Sequence, residues 1–503
     1  MAKSNSSISL HSSEPKFEEA DPKPELLIKS LAEQGYSLES ALADLIDNSI
    51  SADATGVEIM IDMDNEPFTL FLADDGSGMC EDILRKSMEF PSDSPDNDRD
   101  VRDLGRFGLG MKTASFSQTR SFTVISRKKG DVTYSGRTWD VAYLKEKKKW
   151  HLIVNSQEEV YKIVEDYTKI SNEYLGIIEG FTANTIIVWR GLYKYEKYLE
   201  PANRVKALKQ QLNEVTADHL SLVFHRFLER KKDPLRIRVN NKQIRPFDPF
   251  PPASAGVRKI ESKRKSFSED NVKLEGFVLP SSSMDEAKSG TSRWTTKKCS
   301  LTDMEGIYVY RADRVIIFGG WNGLIKKGPR LQLARLRVDV GNKVDHLLHL
   351  NVSKSQITIP HDLKAGFEHY VTELKIEAER EFYNRGIKRL PNDVSHPKEQ
   401  LFARIASSKG TLLELNTEFP LLKSLKQDLT SEQNGNLNML IRMINTMVNK
   451  IRQTHEDQDF TINVENISEA QLQATIQLLS KSGWTEQQIR KDFIPLLGYS
   501  EKS

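Results

Sequence analysis

The sequence predicts an α+β fold in which helices pack on a sheet formed early in the chain. Apolar residues recur at helical spacing from Leu38 to Ile46, which indicates an amphipathic helix. Apolar and polar residues alternate from Val57 to Met63, as in a half-buried strand. A more continuously apolar run from Phe68 to Ala73 follows a short turn, so these strands should form an antiparallel hairpin. Further strands, predicted to complete an α+β sandwich, lie at Ser121–Arg127, Val132–Asp140, Trp150–Val154 and Asn184–Trp189, and basic turns are predicted between them at Lys128–Gly130 and Lys145–Lys149.

Length and composition limit the classes of function. The chain has 503 residues, and its 72 Lys and Arg against 71 Asp and Glu give a net charge of +1. Overall charge therefore indicates nothing about nucleic acid, which only local basic clusters would attract. Cys80 and Cys299 lie far apart, which excludes a disulfide framework or a cysteine zinc site and fits a reducing compartment. The sequence has no apolar run of the roughly 18 residues typical of a membrane span, and Met1–Ala20 does not resemble a signal peptide.

The first predicted helix carries a carboxylate and a carboxamide, Asp44 and Asn48. Their spacing of four residues places both side chains on one helix face. If this face looks into a polar cleft, Asn48 can offer its carbonyl oxygen to a hard cation. Asp44 can then orient or deprotonate a water molecule. A solvated helix face is the alternative interpretation of this pair alone.

The second predicted strand leads directly into the turn Asp74-Asp-Gly76-Ser-Gly78-Met79. Its glycines allow a sharp turn and the close approach of a flat ligand. An ionised Asp74 is a strong hydrogen-bond acceptor, suited to an exocyclic amine such as that of adenine. An ordinary acidic turn is the alternative, since Asp-Gly pairs are common in turns.

A glycine-rich turn, Gly105–Gly110, follows the polar segment 91–100. It is not a dinucleotide-binding fingerprint, because no ordinary strand precedes it, and it lacks the Gly-Lys-Thr/Ser of a Walker A loop. A turn of this kind before a helix can present backbone N–H groups to phosphates, and Lys112 adds a positive charge. A flexible hinge is the alternative interpretation.

Thr185 begins a late strand, and its hydroxyl can hydrogen-bond a base or a carboxylate, although threonine is also simply favoured in strands. These four features, in this order over residues 24–190, resemble the GHKL ATPases. This superfamily includes gyrase B subunits, MutL, large heat-shock chaperones, histidine kinases and MORC proteins. The residues that fall where the motifs of the family require them are Asn48, Asp74, Gly76, Gly78, Gly105, Gly108 and Gly110.

The resemblance implies a Bergerat-type sandwich that binds ATP and Mg²⁺. Asn48 would be the metal ligand, and Asp74 would recognise the adenine amine, backed by Thr185 through a water molecule. Residues 91–110 would form a lid over ATP. The nucleotide-binding residues would be Asn48, Asp74, Gly76, Gly78, Met79, Gly105, Arg106, Phe107, Gly108, Leu109, Gly110, Met111, Lys112 and Thr185.

Asp44 stands where ATP-hydrolysing members of the superfamily usually carry glutamate. Aspartate is one methylene shorter, so its carboxylate would lie further from the attacking water. A misplacement of about 1 Å can slow a catalysed step ~10²-fold. The sequence therefore predicts slow ATP turnover, with Asp44 as the general base.

A second group of elements resembles the transducer domain of gyrase, MutL and MORC proteins. Lys354 would be its catalytic lysine, which reaches the γ-phosphate, although a surface lysine is the alternative. Histidine kinases lack this domain, and Tyr308–Trp321 is most similar to MORC-like and related prokaryotic ATPases. The predicted elements are strands at Gly306–Arg311, Arg314–Phe318 and Leu333–Val340 and a helix at His361–Arg385.

Four regions are predicted along the chain. Residues 1–22 form a disordered or dimer-exchanged arm, 23–200 the GHKL ATP-binding domain and 201–389 the transducer-like domain. Residues 390–503 form a C-terminal helical region of unknown role, with helices predicted at Leu412–Leu425 and Leu437–Ile451.

The predicted function is a slow, Mg²⁺-dependent cytoplasmic ATPase that works as a nucleotide-gated dimeric clamp. Its cargo would be DNA, held non-specifically by basic runs at 127–129, 145–149, 230–232 and 258–265. By analogy, genome maintenance or defence against foreign DNA would suit such a clamp. Two alternatives remain: a chaperone-like or signalling ATPase that contacts an accessory protein through residues 390–503, and a nucleotide-binding scaffold that barely hydrolyses.

Overall fold

The computed structural model describes residues 22–33, 35–90, 109–173, 181–197, 199–240, 242–250, 256–267, 270–288, 292–341, 361–388, 401–407, 410–456, 473, 476–477, 480 and 485–489. The chain divides into two compact units, Met1–Phe382 and Tyr383–Ser503. The described residues form both helices and strands, so the predicted α+β class is confirmed. Among the described helices, none has both the length and the apolarity needed to cross a bilayer.

Eight strands form the first sheet of the larger unit. They are β1 (Gly56–Asp62), β2 (Thr69–Asp74), β3 (Thr119–Ser126), β4 (Ser135–Asp140), β5 (Ile153–Val154), β6 (Thr185–Leu192), β7 (Arg236–Val239) and β8 (Lys242–Gln243). Their order is β5-β4-β3-β6-β2-β1-β7-β8. The predicted β1–β2 hairpin is confirmed, and β7 pairs in parallel with the outer side of β1.

Helices cover both faces of this sheet. On one face, α2 and α4 pack against apolar residues such as Ile59 and Leu72 in the main core. On the other face, α6 packs against Met60 and Phe71. The helices are α1 (Pro24–Ala32), α2 (Leu38–Ser51), α3 (Glu81–Met88), α4 (Gly110–Gln118), α5 (Val141–Lys147), α6 (Gln157–Glu173), α7 (Tyr193–Glu196), α8 (Pro201–Gln210), α9 (Ala217–Val223) and α10 (His225–Leu228), with a π-helical segment, Gln211–Thr216, between α8 and α9.

A second sheet follows in the same unit. Its strands are β9 (Arg258–Lys259), β10 (Lys263–Phe267), β11 (Asp270–Val278), β12 (Gly306–Arg311), β13 (Arg314–Phe318) and β14 (Ala334–Val340). Their order is β10-β11-β14-β12-β13, with β9 beside β11. After the short helix α11 (Ser283–Lys288), the long helix α12 (His361–Lys388) packs Phe367, Tyr370 and Leu374 into the core of this sheet. The predicted strands and the long helix are confirmed, and the first sheet also includes β7 and β8 from beyond residue 200.

Two local predictions were wrong. The basic segment Lys145–Lys149 was expected to be a turn, but helix α5 continues through Lys147. This helix is started by Asp140, whose carboxylate accepts a hydrogen bond from the Tyr143 backbone N–H at 2.9 Å. Its basic residues lie in the last turn, where they complement the helix dipole.

The second wrong prediction lies in the smaller unit, where Leu412–Leu425 was expected to be one helix. Strand β16 (Gly410–Leu415) pairs with β15 (Phe402–Ser407), and helix α13 begins only at Pro420. Asn449 hydrogen-bonds both backbone groups of Leu413, at 3.0 and 2.9 Å. Tertiary contacts therefore override the helical pattern here. Among the described residues of this unit, the helices are α13 (Pro420–Asp428), α14 (Ser431–Glu456), which confirms the predicted helix at 437–451, and α15 (Glu486–Gln488).

Candidate nucleotide site

The predicted site residues converge where β2 ends. In the antiparallel pairing of β2 with β6, Asp74 lies opposite Thr185. In the pairing of β3 with β6, Ser126 lies opposite Thr185 on its other side. The last turns of α2 lie above this point, because the Ser49 hydroxyl donates to Asp74 Oδ2 at 3.0 Å. The sheet therefore brings together residues that are more than a hundred positions apart in the sequence.

Asp74 is a buried carboxylate that accepts two hydrogen bonds. Its side chain accepts the Gly76 backbone N–H on Oδ1 at 3.0 Å and Ser49 on Oδ2, and the residue is only 5% exposed. Burial raises the pKa of Asp74 from 3.8 to about 6, with a smaller contribution from the neighbouring Asp75. Each oxygen accepts one of these hydrogen bonds and keeps further acceptor capacity. Such a group can recognise a donor on a ligand.

The turn after Asp74 requires both of its glycines. A Cβ on Gly76 would lie 2.8 Å from the Ala52 carbonyl oxygen. Gly78 has a φ of +62°, and a Cβ there would overlap the carbonyl oxygen of Arg127. The turn is fixed on both sides, because the Ser77 N–H donates to the Ala52 carbonyl at 2.8 Å and the Ser77 carbonyl accepts the Lys129 N–H at 2.9 Å. This close backbone packing forms a narrow cradle beside Asp74.

Three polar residues that the motifs did not indicate support this cradle. The Ser126 hydroxyl lies 2.8 Å from the Thr185 hydroxyl and accepts the Met79 backbone N–H at 2.9 Å. The Asn184 side chain donates to the Gly76 carbonyl at 2.8 Å. Ser126, Asn184 and Ser49 were missed because serine and asparagine carry no motif of their own at these positions. Ser49 follows Asn48 and Asn184 precedes Thr185, which was their only available signal, and Ser126 had none.

The two side chains predicted to share one face of α2, Asp44 and Asn48, lie in different environments. Asn48 is exposed, whereas Asp44 is buried at 5% exposure. The Tyr36 hydroxyl donates to Asp44 Oδ2 at 2.7 Å, and a terminal nitrogen of Arg314 lies 3.8 Å from Asp44 Oδ1. Arg314 comes from the second sheet and had no sequence signal. An exposed amide one turn from a buried carboxylate is compatible with a metal ligand beside a general base.

The glycine-rich turn is described only in part. Leu109, Gly110 and Met111 lead into α4 and are half-buried. Lys112 is buried, and its ammonium donates to the carbonyls of Ser87 and Glu89 at 2.9 and 2.6 Å, at the end of α3. Burial lowers the pKa of Lys112 to about 8. In this structure Lys112 therefore ties α4 to α3, and its contact with phosphate stays a prediction. Gly105, Arg106, Phe107, Gly108 and Lys354 lie outside the described residues.

The residues present fit an adenine nucleotide and a metal ion at the level of donor chemistry. Asp74 supplies a buried acceptor at the base of a glycine cradle, and Asn48 supplies an exposed amide oxygen on the same helix as Ser49. Amide and carboxylate oxygens are the ligand types that Mg²⁺ accepts, together with phosphates and water.

The similarity to known proteins is consistent with a nucleotide site at this position. Residues 36–173 match the family model described as histidine kinase-, DNA gyrase B-, and HSP90-like ATPase. The chain is also similar to ATPase morc-1 of Caenorhabditis elegans, with 34% identity over 95 residues, which make up 19% of this chain. The matched segment spans 11% of that relative's length. Residues 36–173, which include Asp44, Asn48 and Asp74, are thus similar to a GHKL-type ATPase domain, and 95 residues of the chain are similar to part of a MORC ATPase.

Proposed function

We propose that the protein binds ATP with Mg²⁺ and hydrolyses it slowly. The observation that carries this proposal is the buried Asp74 carboxylate at the end of β2, beside a turn that only glycines can form. An adenine amine would donate to Asp74 while the flat base rests against the cradle. Asn48 would hold the metal ion, which supplies charge neutralisation to the phosphates. Residues 105–110 would offer backbone N–H groups to the phosphates together with the Lys112 ammonium, and Lys354 would contact the γ-phosphate.

Asp44 is proposed as the general base for the attacking water. Asp44→Asn keeps the size of the side chain and an oxygen for the Tyr36 hydroxyl, but it removes the basic group. We expect ATP turnover to fall ~10²-fold or more, while the Kd for ATP stays nearly constant. Single-turnover hydrolysis and calorimetric titration would measure the two quantities. Wild-type turnover in this variant would exclude Asp44 as the base.

The slow rate itself has a separate test in Asp44→Glu. The added methylene moves the carboxylate toward the water by about 1 Å, so turnover should rise by roughly tenfold or more if reach limits the rate. Burial at position 44 makes folding the necessary control, since an extra methylene can strain a packed site. The melting temperature is therefore measured beside the rate. A folded variant with unchanged or lower turnover would contradict the reach argument.

The proposed work cycle is a clamp that closes when ATP pairs two nucleotide domains. ATP would favour the closed state through contacts made only in that state. We expect a non-hydrolysable ATP analogue with Mg²⁺ to convert monomers to dimers in light-scattering measurements. Asp74→Asn, which should not bind the analogue, provides the control and should stay monomeric. A monomer of the wild type in both conditions would overturn the clamp.

DNA is the proposed cargo. Exposed basic side chains occur at Lys128 and Lys129, at Lys147–Lys149 and at Arg230–Lys232. If these groups displace counterions from DNA, affinity should fall steeply with salt, by about 10³-fold from 50 to 200 mM for six or more phosphate contacts. Fluorescence anisotropy with duplexes of unrelated sequence tests this. Affinity that does not change with salt would contradict electrostatic binding. Genome maintenance or defence against foreign DNA is the proposed setting.

A protein partner is the second candidate for the cargo. In the smaller unit, the apolar side chains Leu421, Leu440 and Met447 are 69%, 54% and 53% exposed. Exposed apolar surface of this kind is typical of protein contact sites when it is contiguous. Comparing DNA-stimulated with protein-stimulated ATP hydrolysis, and deleting residues 390–503, would separate a DNA clamp from a chaperone-like or signalling ATPase.

A further inference from the structure

The side chain of Arg314 links the second sheet to the helix that carries the proposed general base. Arg314 is the first residue of β13 and is 4% exposed. Its Nε donates to Asp47 Oδ1 at 2.8 Å, and one terminal nitrogen lies 3.8 Å from Asp44 Oδ1. The other terminal nitrogen donates to the Val315 carbonyl at 3.0 Å, which holds the guanidinium against its own strand. A single cation thus contacts two acids on α2.

The surroundings make this ion pair sensitive to position. Asp47 is 1% exposed, so its buried carboxylate is stabilised when the Arg314 guanidinium stays within hydrogen-bonding distance. His219, on the adjacent helix α9, does not compete for the acids as a second cation. Burial and the nearby Arg314 lower the pKa of His219 to about 3, so its imidazole is neutral at physiological pH.

The two contacts differ in strength. The Asp47 contact is a direct hydrogen bond between charged groups, whereas the Asp44 contact, at 3.8 Å, is an ion pair without one. Asp44 receives its hydrogen bond from Tyr36 instead, at 2.7 Å. Arg314 therefore fixes α2 at Asp47, and its positive charge acts on the Asp44 carboxylate without a direct hydrogen bond. This arrangement suits positioning better than direct participation in chemistry.

We propose that Arg314 is a positioning residue that couples the second sheet to ATP hydrolysis by setting the place of the Asp44 carboxylate through Asp47. The inference rests on the proposed ATPase function and adds to it a specific connection between the two sheets. A shift of β12 and β13 moves the guanidinium, and the guanidinium moves the end of α2 that carries both acids. Asp74, which would recognise the base, is placed by the pairing of β2 with β6, so ATP binding should depend less on this connection than hydrolysis does.

The test removes the connection without leaving the Asp47 carboxylate buried beside no cation. Arg314→Gln alone leaves the buried Asp47 carboxylate without its cation, and this variant can fail to fold. The informative protein is therefore the double variant Asp47→Asn/Arg314→Gln. We expect its kcat for ATP to fall by about tenfold or more, while its Kd for ATP changes by less than about threefold. Arg314→Lys keeps the charge but not the fork of donors, and it should have an intermediate kcat.

The matched control is a second buried ion pair, Arg238 with Glu58, which joins β7 to β1 on the face of the sheet covered by α6. The double variant Glu58→Gln/Arg238→Gln neutralises it in the same way and should keep the wild-type kcat. A folded Asp47→Asn/Arg314→Gln protein with wild-type kcat would overturn the inference. So would a Kd for ATP that weakens in proportion to kcat. Wild-type protein that takes up no ATP would instead refute the proposed function, and this inference with it.

Discussion

Asp74→Asn should lose ATP binding and gain stability at the same time. The carboxylate now accepts Gly76 N–H on one oxygen and the Ser49 hydroxyl on the other. Asparagine keeps one acceptor oxygen, which Gly76 occupies, and directs an NH₂ group toward Ser49 and the adenine amine. Two donors would then face each other, and we expect the affinity for ATP to fall ~10²- to 10³-fold. Calorimetric titration measures this loss.

The gain in stability follows from the pKa of Asp74. Because this pKa is raised from 3.8 to about 6, the folded state binds the proton more tightly than the unfolded state. Stability from this group is complete below pH 3.8 and is lost as the pH rises through about 6. The shift corresponds to roughly 3 kcal/mol. The free energy of unfolding of ligand-free Asp74→Asn should exceed that of the wild type by about 1–3 kcal/mol at pH 7.5, and the difference should shrink near pH 4.

Asp75 provides the matched control for this prediction. Its carboxylate accepts the backbone N–H groups of Thr55 and Gly56 at 2.7 and 2.8 Å and the Thr55 hydroxyl at 2.7 Å. Asp75→Asn loses part of this set, so it should destabilise the fold by about 1–2 kcal/mol. Urea denaturation of both variants therefore gives opposite signs. Wild-type affinity for ATP in Asp74→Asn would exclude Asp74 as the group that recognises the base.

Gly78→Ala should be among the most destabilising single substitutions in the larger unit. The φ of +62° is unfavourable for alanine, and its Cβ would overlap the Arg127 carbonyl oxygen. Arg127 cannot move away easily, because its N–H donates to the Asn184 carbonyl at 2.9 Å and Asn184 in turn donates to Gly76. Strain and clash together should lower the free energy of unfolding by about 3 kcal/mol or more. Denaturant titration measures it.

Gly130→Ala separates the two causes of this loss. Gly130 has a φ of +98°, but a Cβ there would meet no atom within 4 Å. This variant should therefore lose only the conformational part, about 1–2 kcal/mol. Equal losses at the two positions would show that the contact with Arg127 is not the cause.

The sequence was most informative where the determinants of structure are local. The turn Asp74–Met79 was predicted because its acid and glycines follow a strand directly, and the β1–β2 hairpin because its turn is short. Thr185 was predicted from its place in the chain, and the pairing of β2 with β6 brings it opposite Asp74. This pairing depends on the whole sheet, which no single segment encodes.

Other features depend on tertiary contacts that no sequence pattern indicates. The ammonium of Lys112 donates to carbonyl groups at the end of α3, contacts that the sequence did not indicate, and its contact with phosphate stays a prediction. Arg314 lies in an ordinary strand sequence, and only the fold places it beside Asp47. Strand β16 was mistaken for a helix because its partner strand and Asn449 decide its conformation.

The parallel pairing of β7 with β1 has a consequence for protein synthesis. Residues 236–239 leave the ribosome long after residues 56–62, and until then the outer edge of β1 has no strand beside it. Open strand edges readily pair with other chains, so nascent polypeptides of this protein should need shielding by chaperones during translation. A fragment that stops before Arg236 would retain this open edge permanently and should aggregate on ribosome release, unlike a fragment that continues past Gln243.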